Sequence, residues 1–223
     1  MPKSKVGVTL RIEVRDDKGR VVKVIETPSR SFTQNFSIAL LASQWTEYSI
    51  PSPFPAYTFY DVMGSPIYVI GWTPNAPSNG IYLFDVGAIF YSEPQYIASQ
   101  YQSYTINMPG IWPGASPCPS PIYAYGPCSP ISTSVLSPTL FSFPSSPVYT
   151  TSGWQLTYSQ TWTNATSTPV TVSSVALVFG ATGNAGSPIG YVLYAAIVDN
   201  VSPAVLVLPN YSVTFTYTVL YAV

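Results

Sequence analysis

Histidine is absent from this 223-residue chain, and all eight of its lysine and arginine residues lie within the first 30 positions. Enzymes need groups that transfer protons or stabilise developing charge. A Ser-His-Asp or Cys-His unit is therefore excluded, and lysine Schiff-base chemistry is excluded after residue 30. The sequence predicts a protein that is not an enzyme and that uses no cofactor.

Acidic side chains are also scarce, because only five follow residue 30: Glu47, Asp61, Asp85, Glu93 and Asp199. A glycosidase with paired carboxylates would have to be built from Asp61, Asp85 or Glu93. We favour the simpler interpretation that these acids are solvated groups at loops or strand ends. With so few carboxylates to protonate, we expect the body of the chain to tolerate acid.

Long apolar runs are missing as well. No stretch of about 18 apolar residues occurs, which predicts no transmembrane helix, and residues 1–17 lack the apolar core of a secretory signal. Two cysteines, Cys118 and Cys128, are too few for a zinc site without histidine. They enclose a short Pro-rich loop, so we favour a local disulfide over two free thiols; spacing alone does not establish the geometry.

What the chain does have is alternation of apolar and polar residues. Residues 6–15 and 21–26 predict a hairpin whose turn is 16–19. Ser31 and Gln34 form a capping-box pattern that predicts a helix over 32–43. Ten prolines in 109–147 predict an extended loop or projection without regular ladders. Further strands are predicted at 57–63, 66–72, 81–91, 100–106, 154–162, 170–179 (with a bulge at 173–174), 191–198, 204–208 and 213–221.

Many antiparallel strands separated by frequent turns predict an all-β fold, either an antiparallel β-sandwich or a viral jelly roll. One short helix and a Pro-rich insertion at 109–147 would complete it. We favour a single domain over 1–223 in which the first and last strands share a sheet. The alternative is two small jelly rolls, at about 1–108 and 148–223.

The basic residues near the N-terminus predict a docking face for a partner. Acids alternate with them along the strand, as on the solvent face of a hairpin, so we do not expect nucleic-acid binding. The predicted docking residues are Arg11, Arg15, Lys18, Arg20, Lys23 and Arg30.

Two surface features remain open. Asn-x-Ser/Thr sequons at Asn164, Asn200 and Asn210 lie at predicted turns and are candidate glycosylation sites; a fourth, at Asn35, lies on the predicted helix. The abundant tyrosine and proline would suit a sugar-binding platform. Packing within the core and between copies of the chain is the interpretation we favour.

Three stretches carry a resemblance to a known family. They are Leu-Arg-Ile-Glu-Val-Arg-Asp-Asp-Lys-Gly-Arg-Val-Val at 10–22, Ser-Arg-Ser-Phe-Thr-Gln-Asn-Phe at 29–36, and Gln-Thr-Trp-Thr-Asn-Ala-Thr-Ser-Thr-Pro-Val-Thr-Val-Ser-Ser-Val-Ala-Leu at 160–177. The chain resembles turret (vertex spike) proteins of the Sulfolobus turreted icosahedral virus group. The Pro-rich middle is not part of the resemblance. Ala176 also departs from it, because glycine usually follows the Ser-Ser-Val stretch.

The resemblance implies a jelly-roll protein on the exterior of a capsid vertex. It implies a homo-pentamer about the fivefold axis, in contact with other capsid or vertex proteins, with a host-surface receptor or glycan as a further candidate partner. No catalytic, cofactor or metal residue is carried over from it. The alternative expectation is an archaeal cell-surface adhesin or a carbohydrate-binding β-sandwich module.

Overall fold

The fold is taken from a computed structural model that describes residues 5–29, 31–43, 57–69, 103–139, 142, 147–183 and 190–222. These residues form eleven β-strands, one α-helix and one short 3-10 helix at Pro121–Tyr123. In chain order the elements are β1 (Lys5–Arg15), β2 (Val21–Ser29), α1 (Gln34–Ser43), β3 (Tyr57–Tyr60), β4 (Pro66–Val69), β5 (Gly110–Gly114), β6 (Leu136–Pro138), β7 (Val148–Thr150), β8 (Gly153–Asn164), β9 (Val170–Gly183), β10 (Gly190–Val207) and β11 (Ser212–Ala222).

The strands form two principal antiparallel sheets. The larger has the order β2-β1-β11-β8-β6, with β7 also paired to β8, and the smaller has the order β10-β9-β5. β3 and β4 form a separate hairpin. The first and last strands share the larger sheet, as expected from their sequences. They pair along their whole length, from Lys5 opposite Ala222 to Arg15 opposite Ser212.

Alternation along β1 and β11 determines which side chains enter the core. Leu10 and Ile12 of β1 are almost fully buried, as are Phe215 and Tyr217 of β11. Successive side chains of a strand point to opposite faces, so the threonines between them line the outer face. The predicted apolar face of each strand is therefore confirmed.

The two sheets pack against each other through their apolar faces. The Tyr158 ring of β8 lies 5.4 Å from the Phe179 ring of β9, measured between centroids. The Tyr217 hydroxyl oxygen of β11 lies 3.4 Å from the backbone oxygen of Val175 on β9. These contacts confirm an all-β antiparallel sandwich; the jelly-roll topology stays a prediction. The alternative of two small jelly rolls, at 1–108 and 148–223, would place β1 and β11 in different domains, although these two strands pair with each other.

The Pro-rich segment corrects one prediction, because it does form ladders. β5 pairs with β9, and β6 pairs with β8. On the side of β5 away from β9, Ile111 accepts a hydrogen bond from Trp162 Nε1 at 2.8 Å and donates one to Gln160 Oε1 at 2.7 Å. Pro113 accepts one on that side from the Ile131 amide. The missing N–H of Pro113 therefore faces away from the β9 ladder, which explains why this proline is tolerated.

Other predicted boundaries also move. The helix begins at Gln34 rather than residue 32, and the Thr33 hydroxyl, not Ser31, accepts the hydrogen bond from the Phe36 amide. Residues 103–106 are not a strand, and 81–91 lies outside the described residues. The strands predicted at 191–198 and 204–208 form one continuous strand, β10. The bulge predicted at 173–174 of β9 lies instead on the partner strand, where β10 has extra residues between Asn200 and Val205.

Gln160 joins the larger sheet to β5 of the smaller sheet through its side chain, so its replacement should be costly. Gln160→Leu would leave the buried Ile111 amide without an acceptor, and we expect a loss of about 1–3 kcal/mol in the free energy of unfolding. Gln155→Leu on the same strand is the control, because Gln155 bonds only to the nearby Thr157 hydroxyl in the described residues. Chemical denaturation of both variants measures the difference; equal stabilities would contradict the assignment.

Candidate binding surfaces

The charged residues of the first hairpin lie at one end of the larger sheet. On the outer face of β1, Arg11 Nη2 lies 2.8 Å from Glu13 Oε2, and Arg15 also contacts Glu13. Exposed pairs of this kind contribute at most about 1 kcal/mol to stability. Lys18 is exposed at the turn and Lys23 is half-buried on β2. Their predicted docking role stays a prediction.

Arg20 has a structural role in addition to its predicted docking role. Asp16 is buried, and its carboxylate accepts hydrogen bonds from the Lys18 amide at 3.0 Å and from the Arg20 amide and Nε at 2.8 Å. Burial raises the pKa of Asp16, but hydrogen bonds from Arg20 and Lys18 outweigh it, so its pKa is lowered. The hairpin turn is therefore held by its own charges. Arg30 lies outside the described residues.

The cysteine loop is anchored to the smaller sheet. Cys118 and Cys128 are joined in a disulfide with their Cα atoms 5.3 Å apart. The Asn200 side chain accepts a hydrogen bond from the Cys118 amide at 2.6 Å and donates one to its carbonyl at 2.9 Å. Ser174 Oγ accepts from the Cys128 amide at 3.0 Å. The loop is thus fixed at both cysteines.

The three candidate sequons differ sharply in accessibility. Asn164 is fully buried, and its Nδ2 donates hydrogen bonds to the carbonyls of Thr168 and Val207, both at 2.9 Å. Glycosylation there would break both bonds, so the prediction for Asn164 is wrong. The Asn200 amide nitrogen is bonded to the cysteine loop. Asn210 is exposed, with a φ of 63° in a turn, and it stays a prediction.

Of the three acids considered for catalysis, only Asp61 lies in the described part of the chain, so no pair of them is seen there. We expected Asp61 to be solvated, but it is buried. Its carboxylate accepts hydrogen bonds from the Met63 and Ser65 amides at 2.9 and 2.8 Å. It shapes the turn between β3 and β4. Asp85 and Glu93 lie outside the described residues. Among the residues that the structure describes, no cluster of three or more metal-binding side chains occurs.

Asp199 is a buried carboxylic acid between the two sheets. The Tyr217 hydroxyl donates a hydrogen bond to its Oδ2 at 3.0 Å. Desolvation raises the pKa of Asp199, although hydrogen bonds from Ser29, Tyr217 and Ser31 oppose the rise. The protonated acid is therefore favoured more in the folded protein than in the unfolded chain.

An apolar row crosses the larger sheet at the end opposite the hairpin turn. Tyr149 is opposite Trp154, Trp154 is opposite Tyr221, and Tyr221 is opposite Val6. We call these four residues the aromatic row. All four are exposed, Tyr149 by 68% and Trp154 by 47%, and the Tyr149 and Trp154 rings meet edge to face.

Beside the aromatic row, an apolar cavity of about 300 Å³ enters between the sheets. The Tyr158 phenol reaches it, and burial, with a smaller effect of Tyr221, raises the pKa of Tyr158 to about 12. It therefore stays neutral at ordinary pH. The other lining residues are Val6, Phe32, Phe36, Ser37, Leu156, Leu177, Phe179, Ala196, Ile197, Val219 and Tyr221.

A second depression, of about 610 Å³, lies at the same end of the sheet. We call it the neutral groove, because no ionisable side chain is among the described residues that line it. Its lining is half polar and half apolar in character. It consists of Val6, Gly7, Val8, Thr9, Pro28, Ser29, Phe32, Thr150, Ser152, Gln155, Thr218 and Leu220.

The neutral groove is hard to predict from sequence patterns. Gly7 interrupts the polar side of the alternating pattern in β1, and this was its one visible signal. The structure pairs Gly7 with Leu220 across the sheet, and a Cβ atom on Gly7 would have no atom within 4 Å. The missing side chain therefore leaves open space at the groove.

Comparison of the chain with models of known protein families, with curated protein sequences and with solved structures gives no significant match. No helix in the described part of the chain is long and apolar enough to span a membrane.

Asp199 gives a pH prediction whose sign follows from its raised pKa. The protonated Asp199 side chain contributes fully to stability below the unfolded-state pKa of about 3.9. This contribution is lost as pH rises through the folded-state pKa, because the buried side chain then becomes charged. Asp199→Asn should therefore raise stability at neutral pH and flatten its dependence on pH above about 4. Denaturant unfolding across this pH range measures the effect.

Two further variants control the pH experiment. Asp17→Asn removes an exposed acid from the hairpin turn and controls for the loss of one carboxylate. Asp16→Asn should lower stability at neutral pH, because the lowered pKa of Asp16 stabilises the fold above that pKa. If Asp199→Asn instead destabilised the neutral protein, ionised Asp199 would be a net stabilising group and the account would be wrong.

Proposed function

We propose that this chain is a structural subunit of a virion, a turret or spike component at a capsid vertex of an archaeal icosahedral virus. One observation carries the proposal beyond the family resemblance: in the described part of the larger sheet, every charged residue except Lys5 lies in the half nearer the hairpin turn, and exposed aromatic rings lie at the other end. Arg11, Glu13, Arg15 and the 16–20 turn mark the charged end. The aromatic row and the neutral groove mark the other.

The distance between the ends suits a projecting subunit. Val6 and Arg15 are nine positions apart on β1, which corresponds to about 30 Å at roughly 3.4 Å per residue. A partner bound at the turn would therefore leave the neutral end well clear of the contact. We assign the charged end to the capsid or a neighbouring vertex protein, and the neutral end to the exterior.

Low charge and exposed aromatic side chains also suit contact between copies of the chain. Interface cores are depleted in charged residues and enriched in tyrosine and tryptophan. The proposal therefore includes a homo-pentamer about the fivefold axis and a jelly-roll topology, both of which rest on the resemblance. A cell-surface adhesin is the second candidate, favoured by the exposed Tyr149–Trp154 pair.

The lysines make the orientation testable, because the chain has only four: Lys3, Lys5, Lys18 and Lys23. Lys18 and Lys23 lie at or near the hairpin turn, and Lys5 lies at the opposite end of β1. Purified virions should contain the chain by mass spectrometry. After treatment with a lysine-reactive cross-linker, Lys18 and Lys23 should be joined to capsid or vertex proteins.

Substituting arginine at Lys18 and Lys23 keeps the charge and should remove those cross-links, which makes this variant the matched control. Finding the chain in infected-cell cytosol but not in purified particles would overturn the proposal. Cross-links to the capsid only through Lys3 and Lys5 would keep the chain in the virion but reverse its orientation.

A further inference from the structure

We propose that the neutral groove is a binding site for a neutral oligosaccharide. The groove lies on the outer face of the larger sheet, at the end away from the charged turn. Its volume of about 610 Å³ falls within the usual range for small-ligand sites, roughly 300–1,000 Å³. The strands around it fix its shape, because the site is built from paired positions of β1, β11, β8 and β7.

The floor of the groove is set by the register of the larger sheet. Gly7 lies opposite Leu220, and Leu220 lies opposite Gln155 on the next strand. Because Gly7 has no side chain and its Cβ position is open, the sheet is indented there. The β7–β8 turn, with Thr150 and Ser152, forms another part of the lining.

Unused hydroxyl groups point to the chemistry of the ligand. Thr9 and Thr218 are cross-strand partners on the outer face, and Ser152 lies at the β7–β8 turn. Within the described residues, the side chains of these three make no hydrogen bond to protein. Each can donate one hydrogen bond and accept others, as sugar hydroxyls also do. The groove therefore offers several partners for a polyhydroxylated molecule.

Other groups of the groove are already oriented by the protein. The Thr150 hydroxyl donates to the Gly153 carbonyl at 2.9 Å and accepts from the Ser152 amide at 3.2 Å. The Gln155 amide nitrogen donates to the Thr157 hydroxyl at 3.2 Å. A site whose polar groups are held in place loses less conformational entropy on binding.

The lack of charge in the described lining favours a neutral sugar over an anionic one. No lysine, arginine or acid is among the described residues that line the groove, so a carboxylate or sulfate group would lose hydration there without gaining an opposite charge. Pro28 and Leu220 of the lining provide apolar area for the C–H faces of a sugar.

This inference goes beyond the proposed virion role and does not depend on it. A vertex subunit would use the site to contact a glycan on a host surface, and an adhesin would use it in the same way. Absence from virions would therefore leave the sugar site intact, and failure to bind sugar would leave the virion role intact.

The test uses the full chain and immobilised neutral oligosaccharides: mannobiose, maltose, chitobiose and lactose, with a glucuronate-containing disaccharide as the charged comparison. We expect measurable binding to at least one neutral sugar and weaker binding to the charged one. Gly7→Leu should weaken that binding at least about tenfold, because its side chain would fill the floor and displace hydrogen-bonded ligand. Thr9→Val and Thr218→Val should each weaken it less.

Thr171→Leu is the matched control, because it adds the same apolar side chain at an exposed position of the smaller sheet. It should bind sugar like the parent chain, and both leucine variants should show the parent circular dichroism. No binding to any of the four neutral sugars would overturn the proposal. So would equal binding by Gly7→Leu, or a cross-link in virions that shows a protein seated in the groove.

Discussion

The pairing of the first strand with the last is the constraint on which the rest of the structure depends. β1 and β11 are adjacent along eleven positions, although almost the entire chain separates them. Contacts this distant in sequence require a large loop to be closed before they stabilise anything. Once formed, the pair places the charged hairpin at one end of the sheet. It also brings Gly7 beside Leu220 and Thr9 beside Thr218 at the other end.

A second interaction explains how the Pro-rich segment becomes part of this sandwich. Gln160 and Trp162 reach from the larger sheet to the backbone of Ile111 in β5. They satisfy polar groups that an edge strand would otherwise leave unpaired. Trp112 packs edge to face on Trp162, with ring centroids 5.1 Å apart. The segment therefore closes one side of the core and is not simply a projection.

Local patterns were sufficient to predict the strands that have one buried face. Leu10, Ile12, Phe215 and Tyr217 follow a simple alternation, and each is buried as expected. The prediction that 109–147 forms no ladders was wrong because it counted prolines without asking where each one lies in a strand. A proline whose nitrogen points away from the ladder, as in Pro113, costs no ladder hydrogen bond. That direction depends on pairing between distant strands, which the local sequence does not contain.

The candidate surfaces were harder to predict for the same reason. The buried state of Asn164 follows from its hydrogen bonds to Thr168 and Val207, and the sequon pattern carries no information about them. Gly7 is visible in the sequence as a break in the alternation, but the indentation that it leaves in the sheet depends on the neighbouring strands. The charge asymmetry was fully visible, because composition alone shows that no base follows Arg30. The structure adds that the charged turn of the hairpin lies at one end of the larger sheet.

In the virion that we propose, the two ends of this sheet face different surroundings, the charged turn toward the capsid and the neutral end outward. Electron cryomicroscopy of intact virions, with the sandwich fitted into vertex density, tests this orientation most directly. With the proposed orientation, the 16–20 turn contacts the shell and the β7–β8 turn faces solvent. Vertex density that places the aromatic row and the neutral groove against the shell would contradict it.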